Sequence, residues 1–261
     1  MQLEQLKVNL DELLKPSLAY DWDNVGLSIG DKSAYVNKVL ITLEINEAVV
    51  DEAISKDVQL IISHHPLIFR PIKSITNFDD KGSILLKLIK NSIGVYVAHT
   101  NFDIIEGGLN DYISNLLSLN NINKLAYENS DIDAIGRYGE LKEEMSVEEF
   151  IMFVKTKLNL SDLRIVDGGN TKIRKVGIVT GSGIEYASNA FEAGCDAYLT
   201  GDIKYHDAQD WLGRGMNIFD VGHYGSEIHF KENMLRILRD KLGEEVDFVV
   251  SDALKDPFRA V

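Results

Sequence analysis

The chain has 261 residues, is 45% hydrophobic and 26% charged, and carries a formal net charge of −14. That apolar content suffices for the core of one large or two small domains, and four prolines with no low-complexity tract argue against long disordered linkers. The acidity disfavours nucleic acid as a partner, because phosphate backbones are repelled. One cysteine, Cys195, excludes both an intramolecular disulfide and a thiolate-built metal site.

Leu3, Leu6, Leu10, Leu13 and Leu14 fall at helical spacing among acidic residues, which predicts an amphipathic first helix and not a signal peptide. No run approaches the ~18 apolar residues of a membrane span, so a soluble, cytoplasmic protein with no membrane partner is expected. Apolar β-rich runs at Lys38–Leu43, Val58–Ser63 and Gly94–Ala98 alternate with helical patterns over Glu47–Ser55 and Ser83–Asn91. Near-continuous apolar strands between helices imply an α/β protein with mostly parallel sheets covered on both faces. Asn120–Lys124 is the most polar connector, and a domain boundary is expected there.

A second α/β block follows. Ser146-Val147-Glu148-Glu149 has the capping-box pattern of a helix start. A strand is expected at Lys175–Val179, a helix over about Ile184–Ala193, and a strand at Asp196–Leu199, just after Cys195, which reads as a small buried hydrophobe. The last unit comprises a strand at Asn217–Val221, a helix over about Ser226–Leu242 and a strand at Val246–Val250.

Three of these strands run into metal-ligand chemistry: Ser63 into His64-His65-Pro66, Ala98 into His99-Thr100-Asn101-Phe102-Asp103, and Val221 into Gly222-His223-Tyr224-Gly225-Ser226-Glu227. Ligands of open α/β sheets bind beyond the carboxyl ends of the strands, so parallel neighbours would point all three clusters into one crevice. Imidazole with carboxylate suits Zn, Fe, Mn, Co or Ni better than Ca. His223 and Glu227, four apart at a helix start, share one face. The side chains of His64 and His65 diverge in extended chain and so suit two neighbouring ions, which Asp103 and Glu227 can bridge. A lone histidine at a strand end is usually a hydrogen-bonded structural residue; it is the coincidence of three such ends that points to metal.

Asp21-Trp22-Asp23-Asn24-Val25-Gly26-Leu27, Ser63-His64-His65-Pro66-Leu67, His99 to Asp103, Thr200-Gly201-Asp202-Ile203-Lys204-Tyr205-His206 and Gly222 to Glu227 together resemble, in order, the blocks of the Nif-three-like dinuclear metal-centre family, often labelled GTP cyclohydrolase 1 type 2 homologs. The resemblance covers about residues 3–258. It implies two divalent ions per subunit, held by His64, His65, Asp103, His223 and Glu227. It also implies two similar α/β lobes, taken as residues 1–125 and 126–215, with 216–261 returning to complete the first. A homohexameric ring is implied as well. One departure is Glu44, where the family commonly has Asp; the resemblance gives this acid no ligand role.

Outside the ligand set, His99 is a candidate for orienting a ligand or moving a proton, and Lys204 and His206 for binding a substrate anion or transferring a proton. Asp21 to Gly26 reads equally as a rim loop of the crevice or as an acidic turn holding Trp22 in a core. Gly181-Ser182-Gly183 reads first as a tight turn and second as a phosphate cradle. The function expected is a metal-dependent hydrolase, GTP cyclohydrolase-like or phosphoesterase, with a metal-bridged hydroxide attacking a small anionic or nucleotide-like substrate. The alternative is a metal-loaded regulatory or interaction protein without turnover.

Overall fold

The structure is a computed structural model describing residues 1–125, 134–243 and 245–259. It divides into two compact units, one made of Met1–Ile105 with Phe230–Pro257, the other built on Glu106–His229. In chain order the strands are β1 (Gly26–Ile29), β2 (Lys38–Thr42), β3 (Leu60–Ser63), β4 (Gly94–Val97), β5 (Asn120–Leu125), β6 (Gly136–Ser146), β7 (Arg164–Val166), β8 (Lys172–Ile178), β9 (Ala197–Thr200), β10 (Asn217–Asp220) and β11 (Asp247–Val250). The first unit holds the sheet β1-β4-β3-β2-β11, the second the sheet β5-β6-β8-β9-β10-β7.

In the first unit β11, β2, β3 and β4 are parallel neighbours, and β1 closes the edge antiparallel to β4. Every residue of β3 and β4 is buried, as expected of central strands covered on both faces. Side chains from two helices, among them Val49, Val50, Leu85 and Leu88, pack on Leu40, Ile61 and Val95. Those helices span Glu47–Ser55 and Asp80–Lys90 and start where Asn46 and Asp79 side chains accept from the backbone of Val49 and Gly82. The Leu3–Leu14 helix buries Leu3, Leu6, Leu10 and Leu14, each contributing roughly 2 kcal/mol of apolar transfer. Register matters most for the site: Ser63 pairs with Val97, so the chain leaves β3 and β4 at the same level.

The second sheet is mixed. β8, β9 and β10 are parallel, while β5, β6 and β7 join antiparallel. The capping box of Ser146 and Glu149 forms as its spacing predicts and opens the Val147–Leu158 helix. Cys195 is buried, and burial pushes its thiol pKa up to about 12, which keeps it an inert packing group.

Two expectations change here. Asn120–Lys124 is not a connector: it belongs to β5, an edge strand paired with β6, and the compact units part instead after Ile105. An edge strand with solvated side chains is as polar as a linker, and composition cannot separate the two. The strand at Asn217–Val221 is not a neighbour of β3 and β4. It is β10, set between β9 and β7 in the second sheet, and the segment that belongs with the first unit starts only at Phe230. A buried parallel strand reads alike whichever sheet it joins.

Candidate metal centre

The ends of β3 and β4 bring three imidazoles together. One ring nitrogen from each of His64, His65 and His99 lies within 4.8 Å of the other two. Each ring is held from behind by an oxygen. His64, fully buried, donates from Nδ1 to the carbonyl of Ala98 at 2.8 Å, a contact set by the β3–β4 register. His65 donates from Nδ1 to Glu44 Oε2 at 2.9 Å, and His99 donates from Nδ1 to both oxygens of Asp23 at 2.9 and 3.0 Å. A carbonyl or carboxylate partner fixes the proton on Nδ1, so the neutral ring carries its lone pair on Nε2. This is the pattern by which outer carboxylates and carbonyls orient metal-binding histidines. Asp103, buried in the short helix Thr100–Ile104, has Oδ1 3.8 Å from His64 Nε2. Phe230, at the head of the Phe230–Leu242 helix, packs its ring 4.9 Å from that of His64 and 5.0 Å from that of Phe102. The returning segment therefore covers the His64 imidazole on its apolar side.

Asp23 is the most polarised group here. Its side chain is fully buried. Burial works to raise its pKa, but the bonds from His99 and from the amide and hydroxyl of Thr100 outweigh that and hold the carboxyl at about 2. No spacing in the sequence joins Asp23 to His99, which are 76 residues apart. The loop Asp21 to Gly26 is thus the rim loop of its two readings: Asp23 supports the imidazole, and Trp22 stands exposed beside it and is not held in a core.

In the second unit the chain beyond β10 turns at Gly222 into the helix His223–Glu227. His223 donates from Nδ1 to Asp202 Oδ2 at 2.7 Å, repeating the pattern of the other three rings. Its Nε2 stands 2.9 Å from Glu227 Oε2. With the Nδ1 proton committed to Asp202, a lone pair and a carboxylate oxygen meet at that distance, which calls for a cation between or beside them: a proton or a metal ion. Gly181 makes room for the carboxylate: a Cβ there would stand 2.1 Å from Glu227 Oε1, and its φ is +65°. The Gly181 amide donates to Ser226 Oγ and the Gly183 amide to Thr200 Oγ1. Both amides are used inside the protein, so Gly181-Ser182-Gly183 is the structural turn and not a phosphate cradle.

Lys204 and His206 are exposed at the start of the Tyr205–Trp211 helix and are not among the residues these contacts gather. Asp202, in the left-handed region at φ 57°, ties their loop to His223. Sequence reasoning missed Asp23 as a partner of His99, Asp202 as a partner of His223, and the use of Glu44.

The class defined by this fold and these side chains is a mixed α/β protein with histidine–carboxylate groups suited to divalent transition metals. Comparison places it further. The description of the family Duf34/NIF3 (NGG1p interacting factor 3) matches residues 1–257, and the chain belongs to that family. It is 36% identical over 264 residues to a Clostridium perfringens protein named GTP cyclohydrolase 1 type 2 homolog, with 100% of each chain covered. It superposes on the crystal structure of a Staphylococcus aureus hypothetical protein with a TM-score of 0.92 at 33% identity, covering 100% of this chain and 99% of that one. A Bacillus cereus protein related to NIF3 matches with the same TM-score and coverage at 28% identity. No helix of the described residues is long and apolar enough to cross a membrane.

Proposed function

We propose that the protein is a metal-dependent hydrolase in which His64, His65, Asp103, His223 and Glu227 hold two divalent ions. The observation that carries this reading is the shared posture of the imidazoles: His64, His65, His99 and His223 each commit Nδ1 to a carbonyl or carboxylate oxygen. An oxygen on Nδ1 fixes each ring and leaves Nε2 free for an ion or a proton, which is how metal-binding histidines are commonly oriented. Two divalent ions supply Lewis-acid polarisation of a carbonyl or phosphoryl oxygen and stabilise the charge that develops on it.

His99 is the proton carrier in this scheme. Asp23 holds its ring, and the Nε2 lone pair takes a proton from the attacking water and returns it to the leaving group. Asp23, an ionised carboxylate well below neutral pH, stabilises the imidazolium formed in between. Lys204 and His206, on the loop tied by Asp202, contact the anionic part of a small substrate. GTP chemistry is suggested by the name alone of the Clostridium perfringens relative; the substrate class favoured here is an anionic phosphoester or hydrolysable nucleotide-like compound.

The test is metal analysis of the purified protein, followed by turnover of phosphoesters and nucleotides with Mn, Zn, Fe and Co. About two ions per chain are expected, with activity abolished by His64→Ala and Glu227→Ala in folded protein. A folded, fully loaded chain that turns over none of these compounds would replace the hydrolase with a metal-binding regulatory protein.

A further inference from the structure

The first unit exposes an aromatic shelf beside its imidazoles. Trp22 is 58% exposed and Phe69 43% exposed, although both rings belong to ordered contacts. The Trp22 indole lies 5.7 Å from the Tyr20 ring, 5.9 Å from Phe69 in an edge arrangement and 6.3 Å from His99, again edge-on. The His99 ring in turn lies 5.1 Å from His64 and 5.6 Å from His65. The shelf is thus continuous with the imidazole cluster, one ring away from it. It is also held in place. Asp23, next to Trp22, is locked by His99 and Thr100, and the Asn24 side chain donates to the carbonyl of Ile68, next to Phe69, at 2.5 Å. Burying an indole gains stability, so an indole pinned in the open beside a reactive cluster needs another explanation than packing.

We propose that Trp22 and Phe69 form the seat for a flat aromatic or heteroaromatic ring of the substrate, presenting the bond next to that ring to His99 and its neighbours. Trp22 is then a specificity-determining residue. The open indole of Trp22, with Phe69 edge-on and Tyr20 tilted beside it, suits a small flat ring and is well short of the ~800 Å² per partner that a stable protein interface buries. Stacking tolerates different rings because each has a π face, so ring character selects the substrate and the imidazole cluster selects the bond. The position of the reacting bond rests on the hydrolase reading; the stacking itself does not.

The test separates the two. The chain has two tryptophans, Trp22 and the largely buried Trp211, so emission lost in Trp22→Phe protein isolates the Trp22 signal. Adenosine, guanosine and indole are titrated into metal-stripped and metal-loaded protein, with ribose as the ring-free control. All three rings are expected to quench Trp22 with or without metal, ribose to have no effect, and Trp22→Ala to weaken ring binding about tenfold as followed by equilibrium dialysis. Quenching without any turnover would keep the seat and remove the hydrolase. Failure of every ring to quench, or equal ring binding by Trp22→Ala, overturns the seat. So does a Trp22 emission that shifts with protein concentration in step with sedimentation, because that would make the shelf a contact between copies.

Discussion

The two units prepare their ligand-type side chains in different ways. In the first, the imidazoles stand at the ends of β3 and β4 and are steadied by hydrogen bonds from behind, from Ala98, Glu44 and Asp23. In the second, the Glu227 carboxylate fits only because Gly181 has no side chain, and Gly201 likewise lets the chain pass close to the amide of His223, where a Cβ would stand 2.7 Å from that nitrogen. The first unit relies on added partners; the second has one such partner, Asp202, and adds space made by removed atoms. Loss of a partner weakens orientation by degrees, whereas an atom added to a filled space acts all at once.

That contrast predicts the largest effect for Gly181→Ala. The methyl group would overlap the Glu227 carboxylate at 2.1 Å in a backbone of φ +65°. Left-handed backbone alone costs an alanine roughly 1–2 kcal/mol, and displacement of a buried carboxylate adds to it, so a loss of about 3 kcal/mol is expected in urea unfolding. Metal content should fall in the same protein. A fully stable Gly181→Ala chain with normal metal content would remove the contrast.

Asp23→Asn tests the first unit by the same measure, with a smaller effect. The Asp23 carboxyl titrates near 2 in the folded chain, against 3.8 ordinarily. A lowered folded pKa contributes stability that is present above 3.8 and is lost as pH falls through 2. The difference corresponds to about 2 kcal/mol at neutral pH. Wild type should therefore lose stability between about pH 4 and pH 2, and Asp23→Asn should be less stable at pH 7 with a flatter acid limb. Parallel acid limbs in urea titrations would show that the carboxylate is not held as described.

The same contrast explains what could be read in the sequence. Strand ends running into His64-His65, His99 and His223 were legible because the apolar run and the ligand that follows it are contiguous. The partners were not. Glu44 stood out only as a departure from a family pattern, and Asp23 lies 76 residues from the ring it holds. β5 was mistaken for a linker because an edge strand exposes polar side chains, and β10 was grouped with β3 and β4 because sheet membership leaves no mark on a buried strand. Space is the least legible property: Gly181 reads as a turn glycine, and nothing near it in the sequence announces the carboxylate 46 residues on that it accommodates.

Below these effects on folding come effects on metal alone. Glu44 is half exposed, so Glu44→Gln should leave stability unchanged within about 0.5 kcal/mol. Its carboxylate nonetheless sets the His65 tautomer, and losing such a partner typically weakens metal binding by about 10–100-fold. Competition with a chromogenic chelator measures this directly. Glu44→Asp should fall between the two, since the shorter side chain keeps the charge and gives up reach.

The smallest expected change in stability is for Asp202→Asn, which also measures how far the second unit relies on its outer partner. Asp202 is exposed and sits at φ 57°, a conformation that asparagine adopts about as readily as aspartate. Backbone and loop should therefore persist, with stability altered by a few tenths of a kcal/mol at most. What changes is the group behind His223: an amide can turn its oxygen to Nδ1 and keep the hydrogen bond, but it no longer makes Nε2 a stronger donor to metal. If carved space alone prepares the second unit, chelator competition will give the wild-type affinity. If His223 depends on its carboxylate as His65 depends on Glu44, affinity will fall about tenfold while the unfolding curve stays in place. The two units would then share one method of orienting imidazoles, and the glycines at 181 and 201 would be what separates them.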